Sequence, residues 1–169
     1  MKNVLMVIAQ QMFRDEEYAE PKEVLERRGV TVVTASEQVG PCSGKLGMSA
    51  EATERVADVD ALDYDAVIFV GGAGASAYFD DLAAHALART ALDNGRVVAA
   101  ICVAPSTLAH AGMLDGVHAT AYESQRADLI EHGALWAGRP VVVDGRIITA
   151  SGPAAARDFG EAIAEAIGA

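Results

Sequence analysis

Cysteine, lysine and long apolar runs are all scarce in this chain, and each scarcity removes a class of function. Two cysteines, Cys42 and Cys102, cannot build a disulfide framework, so a reducing cytoplasm is the expected location. No stretch approaches the roughly 20 apolar residues of a membrane-spanning helix, and the opening MKNVLMVIAQQ is too short in its apolar part for a signal peptide. A membrane is therefore not an expected partner. The three lysines are Lys2, Lys22 and Lys45, and the formal net charge is −11. Phosphate backbones and anionic lipid would be repelled, which argues against nucleic acid as a partner. This balance suits a salt-adapted or a GC-rich source equally, and the acidic residues read most simply as a solvated surface.

Binding motifs are missing as well. The loop after the first apolar run, Gln10-Gln11-Met12-Phe13, has none of the glycines that a dinucleotide pyrophosphate needs, and no G-x-x-x-x-G-K-[ST] occurs. NAD and ATP are thereby demoted, and no cofactor is expected. The histidines, His85, His110, His118 and His132, are scattered, with no cysteine or second histidine at metal-ligand spacing. No metal is expected, and the histidines read as partly exposed structural residues.

What is present is an alternation of strands and helices. With 169 residues, 51% of them hydrophobic, the chain can bury a sizeable core as one domain over residues 1–169. Near-continuous apolar runs at Lys2–Ala9, Ala66–Val70 and Val97–Ile101 suit parallel strands covered on both faces. Val30–Ala35 and the shorter Val117–Ala121 add two more strands. Helical patterns cover Asp15–Arg28, Asp81–Asn94, the stretch from Pro105, Glu123–Glu131 and Ala154–Ile167, several of them closed by glycine. Pro21 sits awkwardly in the first, so either the regular helix begins near Glu20 or the proline marks a kink. Ser36–Ser49 reads as a loop with a short hairpin around Cys42–Met48. Asp144-Gly145 marks a hairpin between Val141–Val143 and Ile147–Thr149. The expected fold is a three-layer α/β/α sandwich, flavodoxin-like, with a doubly wound and mostly parallel sheet.

In such a sheet, ligands bind outside the carboxyl ends of the strands. Three loops meet that condition. Gln10–Glu17 follows the first strand, Gly71-Gly72-Ala73-Gly74 follows the strand at Ala66–Val70, and Cys102 stands where the strand Val97–Ile101 turns abruptly into a helix opened by Pro105. Such a corner resembles a nucleophile elbow, and a helix N-terminus beside it would lower the thiol pKa. Cys102 reads equally well as a small apolar residue at a strand end. Gly71-Gly72 either lets backbone N–H groups approach a ligand or makes a tight turn.

Three stretches resemble the ThiJ/PfpI superfamily, which includes deglycases and PfpI-type intracellular peptidases. AAICVAPSTLAHAGML is similar to its A-I-C-x-x-P elbow, VIFVGG to its strand ending in Gly-Gly, and FRDEEYAEP to its acidic segment ahead of a proline. The closing ITASGPAAARDFGEAIAEAI is similar to the deglycase branch. The resemblance implies that Cys102 is a nucleophile and that Glu17, rather than Glu16, is the carboxylic acid bonded to it. It also implies an oxyanion hole from the N–H groups of Gly72 and Val103, with Gly71 and Tyr122 in reach of substrate. A protonated Glu17, raised by burial, would donate to a thiolate where an ionised one would repel it.

One departure matters. PfpI-type peptidases carry His directly after the cysteine, and this chain has Val103 there, which removes the usual general base of a Cys–His dyad. Tyr122, matched to a Tyr in PfpI-type members and a His in the deglycase, could donate a hydrogen bond to substrate or pack against the elbow. The resemblance therefore implies a cofactor-free enzyme acting on small electrophilic carbonyls, converting methylglyoxal to lactate. The alternatives are a redox sensor using Cys102, or a peptidase, amidase or hydratase with a His supplied by another subunit. The family forms dimers and sometimes larger assemblies, so a homodimer is expected, and Cys42-Ser43 resembles a segment at its interface.

Overall fold

The computed structural model describes residues 1–169. In chain order the strands and helices are β1 (Asn3–Val7), β2 (Gln11–Phe13), α1 (Asp15–Arg27), β3 (Thr31–Ser36), β4 (Gly40–Gly44), β5 (Ser49–Ala52), β6 (Glu54–Arg55), β7 (Ala66–Phe69) and α2 (Leu82–Asp93). They continue with β8 (Val97–Ile101), α3 (Pro105–His110), β9 (His118–Ala119), α4 (Arg126–Glu131), β10 (Leu135–Trp136), β11 (Val141–Asp144), β12 (Ile147–Ala150) and α5 (Ala156–Ala166). The main sheet runs in the order β11-β12-β8-β7-β1-β3-β6, and β11 alone is antiparallel to its neighbour.

The apolar runs are apolar because both faces of the sheet are covered. Side chains of β1 alternate as strand geometry requires. Val4 and Met6 join a core with Leu25, Phe159 and Ile163 under α1 and α5. Leu5 and Val7 join a second core with Leu87, Leu108 and Leu129 under α2, α3 and α4. The result is the expected three-layer, flavodoxin-like sandwich with a mostly parallel sheet. From β1 the order runs outward to β3 on one side and to β7, β8 and β12 on the other, so the reversal falls beside β1. The carboxyl ends of β1, β7 and β8 therefore share one edge, where an open sheet presents its crevice.

Several boundaries differ from the sequence reading. Pro21 lies inside a continuous helix and does not stop it. Its ring packs on Gly160 of α5, where an added Cβ would sit 2.8 Å from Pro21 Cα, so tertiary packing overrides propensity. Residues expected as loop after β1 form β2, which pairs in parallel with β4; the hairpin of β4 and β5 completes a small second sheet. Met12 takes a positive φ of 63° between exposed Gln11 and buried Phe13. Strand β9 is shorter than expected and leaves the main sheet to pair with β10. Asp144 pairs with Ile147, which moves the two-residue turn one position on, to Gly145 and Arg146.

Candidate active site

Cys102 follows β8 directly and is one of two non-glycine residues with positive φ, at 65°. This conformation costs about 1–3 kcal/mol and persists only where the surroundings impose it. Its own peptide groups are tied on both sides. The Cys102 N–H donates to the carbonyl of Ala150 at the end of β12 (2.9 Å), and its carbonyl accepts from the N–H of Tyr122 (2.8 Å). The side chain is 8% exposed, so the sulfur stands at the edge of the core with a narrow opening.

Glu17 lies in the first turn of α1 and is fully buried. The turn is positioned from two sides. The Arg14 N–H donates to the Gly71 carbonyl (2.9 Å), and the Glu17 N–H donates to the Arg14 carbonyl (3.1 Å). No group holds either Glu17 carboxyl oxygen in a well-aligned hydrogen bond. The Cys102 thiol and the Gly71 N–H face it more loosely. Glu16 points elsewhere and meets the Arg14 guanidinium in two parallel bonds, Nε to Oε1 at 3.1 Å and Nη2 to Oε2 at 2.9 Å. That pairing holds the Glu16 carboxyl below the usual carboxylate range and leaves Glu17 as the acid beside the cysteine.

Glycine at 71 is a steric requirement. A Cβ there would lie 2.6 Å from Cys102 Cβ, 2.7 Å from the Ile101 carbonyl oxygen and against Glu17 Oε1. Glycine at 72 is required twice. Its φ is +102°, and a Cβ would press on the backbone of Met12 and Arg14 at 2.5 Å. These contacts bring the N–H of Gly72 to the Cys102 sulfur, together with that of Val103.

Burial sets the electrostatics. It lifts the Glu17 carboxyl from its usual 4.5 to about 7, against the pull of the Cys102 thiol and the Arg14 charge. Burial, followed by the charge on Glu17, pushes the Cys102 thiol up to about 12. The expected acidification by a helix N-terminus is therefore not met. The reason is local: α3 is six residues long, and the N–H groups of Ala104, Ser106 and Thr107 donate to the carbonyls of Ile101, Val103 and Ala104. Only Val103 and Gly72 remain to draw the thiol pKa down. The two groups titrate as a pair, and one proton is shared between them. On Glu17 that proton removes the carboxylate charge which opposes a thiolate, and the two N–H donors face the sulfur. The arrangement favours a neutral acid beside an ionised sulfur over the reverse.

A strained cysteine between two backbone donors, with a buried acid one glycine away, is the arrangement that known relatives can test. A model of the DJ-1/PfpI family matches residues 2–166. The chain belongs to the DJ-1/PfpI family. An uncharacterised protein of Methanocaldococcus jannaschii is 42% identical over 172 residues, covering 99% of this chain and 84% of that protein. Deglycase PfpI of Pyrococcus furiosus is 32% identical over 149 residues, covering 88% of this chain and 90% of its own. Among solved structures, a ThiJ/PfpI domain protein from Brachyspira murdochii superposes with a TM-score of 0.96 at 34% identity, covering 98% of this chain and 96% of that one.

Within this DJ-1/PfpI fold the remaining residues singled out from sequence fall as follows. The Tyr122 backbone is bonded to the elbow, while its ring is half exposed and borders a cavity of about 370 Å³ with Trp136, Arg139 and Ser151. The largest surface cavity, about 550 Å³, lies between α1 and β5 on Tyr18, Lys22 and Met48, and includes neither Cys102 nor Glu17. Cys42 is buried in β4, where Gln10 Nε2 reaches its sulfur at 3.5 Å. No helix is long and apolar enough to cross a membrane.

Two features escaped the sequence reading. Arg14 lies near enough for its charge to act on both Glu17 and Cys102; as the single cation in FRDEEYAEP it was visible but carried no motif. The histidines are not all scattered in space. His110 and His132 stack with ring centroids 4.7 Å apart, and Asp128 lies against both. His118 pairs with Asp144 and His85 with the Phe79 carbonyl, so all four are engaged away from the thiol.

Proposed function

We propose that this chain is a cysteine-dependent, cofactor-free enzyme acting on small reactive carbonyls, of the glyoxalase or deglycase type, with methylglyoxal converted to lactate. The observation that carries this reading is the pairing of Cys102 with a buried, unpartnered acid whose pKa is lifted to about 7. An acid poised near the working pH can both give and take a proton. The deglycase name of the Pyrococcus furiosus relative supports the same class of substrate.

The steps balance as follows. The Cys102 thiolate attacks the aldehyde carbon of methylglyoxal, a C–S bond forms, and the carbonyl oxygen takes the proton of Glu17 to give a hemithioacetal. The N–H groups of Gly72 and Val103 receive the developing negative charge on that oxygen. The Glu17 carboxylate then removes the C1 proton, giving an enediol, and returns a proton to C2. The product is a lactoyl thioester on Cys102, with C1 oxidised and C2 reduced and no external electron acceptor. Water cleaves the C–S bond and releases lactate and the cysteine. Arg14, beside Glu17, keeps the carboxylate tolerable during the middle step.

Lactate production from methylglyoxal without glutathione tests this reading. Wild type should turn over, and Cys102→Ser and Glu17→Gln should each lose at least 100-fold in kcat. Undiminished rates in either variant would overturn it.

A second reading rests on the same pair. A thiolate beside a protonated acid suits oxidation by peroxide, in which each equivalent transfers one oxygen to sulfur and leaves as water, giving sulfinate. The acid would then donate to a sulfinate oxygen. Intact mass after mild peroxide should rise by two oxygens on Cys102, and an unchanged mass would remove the sensor reading.

A further inference from the structure

The C-terminal end of α3 meets α4 in a cluster that the Cys102 chemistry does not use. His110, the last residue of α3, places Nε2 at 2.9 and 3.0 Å from the two carboxylate oxygens of Asp128 on α4. His132, one turn on from Asp128, places Nδ1 3.5 Å from Asp128 Oδ1 and 2.8 Å from the Asp128 carbonyl. One ligand atom from each of the three residues lies within 4.8 Å of the others. Behind His110, Asp80 holds Nδ1 at 2.7 Å.

We propose that His110, Asp128 and His132 form a binding site for a divalent transition ion of the zinc class, with Asp80 orienting His110 from behind. Four observations lead there. The donor set, two imidazoles and one carboxylate, is the set that borderline ions such as Zn²⁺ select. Ligand atoms at roughly 2.0–2.1 Å around a tetrahedral ion stand about 3.3 Å apart, and the His110–Asp128 and His132–Asp128 separations bracket that value. The carboxylate on His110 Nδ1 is the outer partner that metal-bound histidines carry, and it fixes the tautomer that turns a lone pair on Nε2 toward the ion. Finally, the stacked rings require neutral imidazoles: two protonated rings 4.7 Å apart would repel, whereas both serve a metal uncharged.

Two carboxylates and a 2+ ion also close the charge locally. Partial exposure of His110, Asp128 and His132, between 20 and 35%, gives an ion access. The solvent side of His132 lets its ring turn from the carbonyl to the metal, and a water can complete four ligands. An ion here would clamp α3 to α4. The far end of α3, roughly 9 Å away along its axis, is the Cys102 elbow, and α4 follows the segment whose Tyr122 N–H holds the Cys102 carbonyl. The site thus braces both supports of the elbow without touching the thiol.

The test is Zn²⁺ titration of EDTA-treated, dialysed protein by calorimetry, with Co²⁺ as a visible-band probe of four-coordinate N/O ligation. Wild type and Cys102→Ser should each take up one Zn²⁺ per chain and gain thermal stability. His110→Gln and His132→Gln should abolish saturable uptake, and Asp80→Asn, on an exposed side chain, should weaken it roughly 10–100-fold. Circular dichroism confirms folding, and His132→Gln and Asp80→Asn decide the matter should His110→Gln unfold. Absence of saturable uptake by wild type overturns the site and leaves His110 as an ionic bridge between Asp80 and Asp128. Uptake that persists in His132→Gln but vanishes in Cys102→Ser overturns it in favour of the thiol.

Discussion

The Glu17 carboxyl and the Cys102 side chain are held apart by the thickness of one glycine. A methyl group on Gly71 would stand 2.6 Å from Cys102 Cβ and against Glu17 Oε1, so the acid and the thiol meet only because that position carries no side chain. Gly71→Ala should therefore separate the pair. Overpacking of this kind costs about 1–3 kcal/mol in stability, and misplacement of a reacting group by an ångström costs on the order of 100-fold in rate. Thermal unfolding and methylglyoxal turnover measured side by side should show a loss in rate well beyond the loss in stability.

Burial of Glu17 makes stability depend on pH. Its folded-state pKa is about 7 against a usual 4.5, so the folded chain binds the proton more tightly than the unfolded one. The contribution is fully present below pH 4.5 and is lost as pH rises through 7. The shift of about 2.5 pH units corresponds to roughly 3 kcal/mol. Urea unfolding at pH 4.5 and pH 8 should show the stability of Glu17→Gln gaining on that of wild type by an amount of this order at the higher pH. A difference between the two proteins that does not change with pH would contradict a buried, proton-binding Glu17.

The two cysteines should differ in reactivity. Cys102 is 8% exposed with two backbone N–H groups facing its sulfur, whereas Cys42 is 1% exposed and burial raises its pKa. Iodoacetamide at pH 8, followed by peptide mass analysis, should label Cys102 at least tenfold faster than Cys42. Faster labelling of Cys42 would mean that the elbow is closed to small electrophiles.

Contact between α1 and α5 seats the acid. Gly160 stands so close to Pro21 that an alanine would press on its Cα at 2.8 Å and on Val24 Cβ at 3.2 Å. Gly160→Ala gains up to about 1 kcal/mol in helix propensity but should lose about 1–3 kcal/mol to overpacking. A net fall in Tm is expected, and a rise would show that α1 can move away without cost.

Much of this site is legible along the chain because each part follows a strand. Glu17, Gly71-Gly72 and Cys102 lie in the loops after β1, β7 and β8, and parallel strands necessarily deliver those loops to one edge. What stays hidden depends on packing between helices. His110 and His132 stand 22 positions apart on short helices whose periodicity says nothing of their crossing, so no spacing rule places Asp128 between them. The thiol pKa was misjudged for a related reason: the free N–H groups of a helix start are visible in sequence, but the turn carbonyls that consume them at Ala104, Ser106 and Thr107 are not. Pro21 inside α1 likewise needs Gly160, 139 positions away, to be understood.

The account turns on Glu17 as the proton carrier for a carbonyl bound to Cys102. Its most direct measurement is proton NMR of methylglyoxal with wild-type protein in D₂O, without glutathione. A carboxyl that exchanges with solvent between taking the C1 proton and returning one to C2 should give lactate carrying deuterium at C2, its methyl signal collapsed to a singlet, and Glu17→Gln should give none. Absence of lactate from wild type, or equal lactate from Glu17→Gln, would contradict the account.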